Sequence, residues 1–193
     1  MSKVRMGCKY PRFAAIAAET PTTRPTYDSK ITDIGEAIAA NLTINYATGE
    51  LYSNDALNIK AEEFASGTIA METDGLESEV YAALFGAKLD AESKEVSHSA
   101  EDVAPCGGLG YYTRMMDKTK KVYYEGHYFP KVQATLSGAN ASTKSGSINF
   151  TTASVNFTVM RCGSGEFWVH EVFETEAAAK SWVDGCLSPA VSG

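Results

Sequence analysis

Apolar and polar positions alternate with a period of two along much of this chain. Leu42, Ile44 and Tyr46 alternate with Asn41, Thr43 and Asn45, which predicts a strand over Ile38–Tyr46 with one buried face. The richest stretch runs from Gly107 to Phe157. It holds Gly108-Leu109-Gly110-Tyr111-Tyr112-Thr113, a charged turn, the run Val122–Val132, and Thr143-Lys144-Ser145-Gly146-Ser147-Ile148. Aromatic and β-branched residues dominate there, and Gly, Asn, Ser and Lys punctuate at intervals suited to antiparallel strands. Further strands are expected around Leu57–Lys60, Phe64–Met71 and Phe167–Val172. Turns are expected at Ala47-Thr48-Gly49-Glu50, at Asn54-Asp55 and at Cys162–Glu166.

Two segments switch to the helical period. In Leu76–Phe85, Leu76, Val80 and Leu84 form an i, i+4, i+8 stripe, Asp74 and Glu77 suggest a capping box, and Gly86 suits the stop. In Glu176–Leu187, Thr175 is the expected N-cap and Ala179, Trp182, Val183, Cys186 and Leu187 make an apolar face. A polar acidic stretch follows the first helix, expected as a short hairpin and a long loop ending at Pro105. Ile148 and Phe150 fall on the opposite strand parity from Val155, Phe157 and Val159, which predicts a bulge or corner near Thr152–Ser154. The expected fold class is mainly β with two helices (α+β), an antiparallel β-sandwich or barrel. Residues 1–30 read as an extended arm, since Pro21, Pro25 and the Thr-rich stretch around them disfavour helix and central strand. Residues 31–187 read as one domain and 188–193 as a flexible tail.

Charge sharpens this picture. The net charge is −7 over 193 residues, unevenly placed: +2 over residues 1–49, −10 over 50–104 and +1 over 105–193. Nucleic-acid binders carry the reverse, a basic patch that neutralises phosphates. A block this acidic suits either plain solubility or a surface that approaches a polyanion without adhering to it. No apolar run reaches the roughly 18 residues of a membrane helix, and Phe13–Ala18 is too short for a signal-peptide core. The chain is therefore expected in cytoplasm, without membrane insertion.

The search for chemistry finds little. Cys8, Cys106, Cys162 and Cys186 have no CxxC spacing, and His98, His127 and His170 are scattered, so neither metal nor cofactor is expected. Glu125 and His127 share a strand face and form an acid–base pair by residue type, but without a nucleophile nearby in sequence; an aromatic cross-strand ladder explains the pattern equally. Ser164 lacks the GxSxG elbow, because Cys162 precedes it by two. The Gly107-Gly108-Leu109-Gly110 cluster lacks the setting of a phosphate loop and reads as close backbone approach or a bulge at a strand start. No catalytic residue is assigned, and an enzyme is not expected.

The order of segments resembles the major tail proteins of long-tailed bacteriophages, the tail-tube subunits. The matching pieces are Met6-Gly7-Cys8-Lys9-Tyr10 with Phe13-Ala14, Leu51-Tyr52-Ser53-Asn54-Asp55, and Leu84-Phe85-Gly86. Ala104 to Tyr112, the charged turn Asp117–Lys121, Tyr128-Phe129-Pro130-Lys131-Val132 and Thr143–Ile148 complete the set. The similarity spans nearly the whole chain and is densest from Ala104 to Thr158. Each motif is a short structural segment without catalytic residues, so order and spacing carry the resemblance.

The resemblance implies a virion structural protein, assembled in the bacterial host cytoplasm. Hexameric rings of β-sandwich subunits stack into a tube through which the DNA genome passes. It implies self-association as the main contact, with the tape measure, tail terminator and tail tip as further partners. Duplex DNA passes by repulsive, non-specific proximity. If each subunit gives about four strands to an inner barrel, roughly 24 strands at ~4.8 Å spacing and ~40° tilt make a circle about 48 Å across, wide enough for a duplex. Expected joints between subunits are the N-terminal arm, the loop at Thr48, Gly49, Glu50, Asn54 and Asp55, and the segment Ala91–Pro105. Expected acidic lining residues are Glu50, Asp55, Glu62, Glu63 and Glu72. The alternative is a β-sandwich module that binds a glycan or protein at a cell surface, with Trp168 or Tyr123–Tyr124 as an exposed aromatic platform.

Overall fold

A computed structural model describes residues 3–53, 56–136 and 152–189. In chain order the elements are β1 (Lys3–Ala18), β2 (Thr26–Tyr27), β3 (Thr32–Asp33), β4 (Ala37–Ser53), β5 (Ala56–Thr73), α1 (Ser78–Phe85), β6 (Lys88–Leu89), β7 (Val96–Ser97), β8 (Cys106–Asp117), β9 (Val122–Leu136), β10 (Ala153–Val159), β11 (Val169–Phe173) and α2 (Glu176–Leu187). The main sheet runs β2-β1-β8-β9-β10-β5-β4, with β3 on β1 and β11 on β9. The expected class holds: the protein is mainly β with two helices, and its antiparallel sheet is not closed into a barrel. A separate hairpin, β6–β7, follows α1.

The sheet buries both faces over part of its width. On the inner face Phe13, Ile69, Leu109, Phe129, Val155 and Phe157 pack with Val80, Leu84 and Phe85 of α1. On the outer face Ala14, Tyr27 and Tyr128 pack under Val183 and Leu187 of α2. The glycine cluster at the start of β8 makes both layers possible. A Cβ on Gly107 would lie 2.3 Å from the Phe13 ring, and one on Gly108 would lie 2.7 Å from Leu187 and Tyr27. These glycines serve close approach, as their setting at a strand start implied.

Helix α2 forms where its pattern placed it, with Thr175 Oγ1 accepting from Ala178 N at 3.3 Å. Helix α1 differs in its start. It begins at Ser78, and its N-cap, Glu77, makes no side-chain capping bond. Asp74 is not part of a capping box, because its Oδ1 accepts instead from Glu36 N at 3.1 Å. Gly86 ends the helix at φ 70°, its N–H bonded to Ala82 O. The turn expected at Cys162–Glu166 is present, closed by Gly165 N to Cys162 O and Cys162 N to Glu166 O.

Two further expectations are overturned. The first 30 residues are not an arm. β1 is an interior strand, paired with β8 from Lys3↔Asp117 to Ala15↔Gly107, and Phe13 and Ala14 are fully buried. The prolines in and after it sit where a sheet tolerates them. Pro11 lies in a register shift between Lys9 and Arg12, and Pro21 and Pro25 follow the strand's end. The second is the turn at Ala47-Thr48-Gly49-Glu50. β4 runs straight through it, paired from Ala47↔Glu63 to Glu50↔Lys60, because the cross-strand ladder outweighs the local preference of a single glycine. Asn54 and Asp55 lie outside the described residues, as do Ile148, Phe150 and the end of the chain from 190 onward.

Candidate functional site

Three features stand out beyond the core. The first is a bare outer sheet face over β4, β5, β10 and the end of β9, beyond the reach of α2. Strand pairing aligns its residues in rows. Asn41, Ala70, Asn156 and Thr135 form one row, and Thr43, Thr68, Thr158 and Gln133 form the next. Asn45 and Ser66 continue it. Alternation puts Leu42, Ile69, Met71, Val155, Phe157 and Ala134 on the opposite, core side. The face is therefore lined by short, uncharged polar side chains, with Glu72 beside Ser154 at one margin.

The second feature is a ribbon. β10 pairs with β5 only over Gly67–Thr73, so β5 residues 56–66 pair with β4 alone. A two-stranded ribbon has little stability by itself, and its base is pinned by Phe64 stacked on Phe167, ring centroids 3.9 Å apart. Tyr46 and Ile59 are half exposed along it. β4 is also the last strand in the sheet order, so along one edge it is hydrogen-bonded to no further strand among the described residues, although β1 lies close to it across the cleft lined by Arg5 and Leu42.

The structure divides the expected acidic lining. Glu62 and Glu63 are strand neighbours and point to opposite faces. Glu62 is ion-paired with Lys60 at 2.5 Å. Glu50 lies opposite Lys60, Glu72 lies on the bare face, and Asp55 lies outside the described residues. These carboxylates do not make one surface. Thr48, Gly49 and Glu50 do fall together, on the exposed ribbon. The Ala91–Pro105 segment holds the β6–β7 turn, β7 and a connection into β8, whose Ala104 O accepts from Gln133 Nε2 at 2.8 Å.

The third feature is a buried polar cluster at an open cleft of about 500 Å³ between β4 and the β8–β9 pair, lined among others by Arg5, Leu42, Tyr111, Thr113, His127 and Trp168. Strand alternation brings Glu125 and His127 to one face, as their spacing implied. Pairing across the sheet then adds Arg5 and His170, which sequence distance hid. Arg5 Nε and Nη2 lie 3.0 and 2.9 Å from Glu125 Oε2, and His170 Nδ1 lies 3.2 Å from Oε1. Burial pushes the His127 imidazole down to about 4; attraction to Glu125 opposes this, and Arg5 and His170 add to it. At neutral pH the ring is uncharged.

This cluster does not have the form of a hydrolytic triad. Thr113 Oγ1 at 3.1 Å and Glu125 Oε2 at 3.6 Å both approach the same nitrogen, His127 Nε2. A relay requires the base on one ring nitrogen and the orienting carboxylate on the other. His127 Nδ1 and Trp168 Nε1 are instead sealed from solvent and have no hydrogen-bond partner. Trp168 is stacked against Phe129 and His170, and Trp182 packs against Phe173, so neither indole stands free as a binding platform. Among the described residues no group of three His, Cys, Asp or Glu has metal-ligand geometry, the four cysteines are free thiols, and no helix is long and apolar enough to cross a membrane. No protein-family model matches the chain, and no curated protein matches it.

Proposed function

We propose that this protein is a self-assembling structural subunit whose copies form hexameric rings and stack into a hollow tube, as in a phage tail that conducts DNA. The observation that carries the reading is the bare four-stranded face ending in β4. A sheet segment that is packed on its inner side, uncovered on its outer side and ended by β4, which no described strand pairs on its far edge, suits continuation by the same segment of a neighbour. The Thr, Asn, Ser and Gln rows give such a lumen a neutral, hydrated lining. Few charges there attract phosphate, so a duplex slides past with little adhesion. This replaces the expected acidic lining with an uncharged one in which Glu72 supplies the negative charge.

The exposed ribbon supports the same reading, since Tyr46 and Ile59 are apolar groups that a neighbouring copy would cover. Function here is geometric, without turnover. The tape measure, terminator and tip proteins of a tail are the further partners this role requires, and the assembled tail is its location. Negative-stain electron microscopy over a protein concentration series tests the proposal. Rings or tubes with six subunits per turn are the expected result. A monomer at every concentration, with and without tail extract as initiator, overturns it.

A further inference from the structure

Antiparallel pairing gives the central strands β1, β8 and β9 two distinct ends, and charge is divided between them. At one end the β8–β9 turn carries Lys118, Lys120 and Lys121, with Lys3 opposite Asp117 in register. The turn is fixed rather than loose. Asp117 Oδ1 accepts from Thr119 N at 2.8 Å, from Thr119 Oγ1 at 2.6 Å and from Lys121 N at 3.0 Å, and Lys120 sits at φ 65°. Lys3 Nζ lies 3.9 Å from the Tyr123 ring centroid. Lys121 is paired with Glu174, whereas Lys118 and Lys120 stand exposed without an ion pair among the described residues.

At the other end, β8 begins beside α1 and the β6–β7 hairpin. A Cβ on Gly86 would lie 2.4 Å from Val103 O, and Glu79 pairs with Lys94 at 3.2 Å. Residues 74–102 hold eight carboxylates against two lysines, and Glu77, Glu92, Glu95 and Glu101 are exposed. The two ends are separated by the length of β8, about 40 Å at ~3.3 Å per residue. That exceeds the Debye length at physiological salt several-fold, so the charges do not neutralise each other within one molecule.

We infer that these ends dock head to tail between copies, the Lys118–Lys121 turn of one chain against the acidic α1 and β6–β7 end of the next. The contact is heterologous: each copy keeps one end free, so it propagates into a linear stack rather than closing on itself. Because the turn backbone is already fixed, contact has to order only the lysine side chains and not the loop that carries them. The inference rests on the self-assembly reading above and deepens it by assigning the axial joint.

The test uses the full chain in three forms: wild type, Lys118→Glu with Lys120→Glu, and Glu92→Lys with Glu95→Lys. Sedimentation and electron microscopy follow assembly at salt of about 20 mM and about 500 mM, between which the screening length falls from roughly 20 to 4 Å. All substitutions are in exposed turns, and unchanged circular dichroism and melting confirm folding. The expected result is that salt and each reversed pair raise the concentration needed for stacking on the order of tenfold or more, leaving rings intact. A mixture of the two variants restores joints between unlike copies. Tubes that form equally well in the lysine-reversed variant overturn this inference while leaving the tube reading standing. Loss of duplex-oligonucleotide binding in that variant with stacking unchanged also overturns it, and assigns the turn to nucleic acid. A wild type that never assembles overturns both.

Discussion

Arg5 near the start of β1 and Glu125 on β9 are joined by two guanidinium contacts to one oxygen, at 3.0 and 2.9 Å, across 120 residues of sequence. Glu125 is 6% exposed, whereas the Arg5 side chain is 59% exposed. The pair therefore keeps a buried carboxylate compensated from the rim of a cleft. Arg5→Ala is expected to destabilise by about 1–3 kcal/mol, above a surface pair and below a fully buried one. Adding Glu125→Gln should recover part of the loss, because the uncompensated charge is then gone. Denaturant titration of the two single variants and the double variant measures this, and additive losses would contradict the pairing.

The same cluster sets a pH dependence. His127 titrates at about 4 in the folded protein against an ordinary value of 6.5, so the unfolded chain binds the proton more tightly. Stability from keeping this ring neutral is present above pH 6.5 and is lost as pH falls towards 4. The full effect is on the order of 3 kcal/mol. His127→Gln should flatten the fall in melting temperature between pH 7 and pH 4.5. An equally steep profile in that variant would remove His127 as the cause.

The helix α2 is seated on glycines. A Cβ on Gly110 would lie 2.7 Å from Val183 Cγ1, and one on Gly108 would meet Leu187 Cδ2 at the same distance. Gly108→Ala is expected to cost about 1–3 kcal/mol by overpacking, and Leu187→Ala about 2–5 kcal/mol by leaving a cavity. Combined, they should cost less than their sum, since each relieves part of the other's misfit, although the Tyr27 clash remains. Strict additivity in a double-mutant cycle would show that the two positions do not share a contact.

The ribbon separates assembly from folding. Tyr46→Ser with Ile59→Ser removes two half-exposed apolar groups, so monomer stability should change by no more than about 0.5 kcal/mol per site. Ring or tube formation should be strongly reduced. A variant that assembles like wild type would take the ribbon out of the interface.

The sequence by itself determined what depends on near neighbours. Alternation identified the strand faces, Thr175 and the apolar spacing after it identified α2, and the glycines of Gly107–Gly110 marked a strand start with close approach or a bulge, although only the structure shows Phe13 on one side and Leu187 on the other. It also put Glu125 and His127 on one face, because two residues apart on a strand always share one. Tertiary structure decided the rest. Prolines downstream of β1 gave that strand the look of an arm, yet its ladder with β8, nearly a hundred residues away, holds it inside the sheet. The run through Gly49 became strand because β5 pairs along it, and the acidic residues on β5 were split between faces by that same pairing. Arg5 and His170 reached Glu125 only once the four strands β1, β8, β9 and β11 lay side by side. Periodicity fixes which way a side chain points, but partner choice is set by long-range pairing and shared burial, and no short window of sequence contains either.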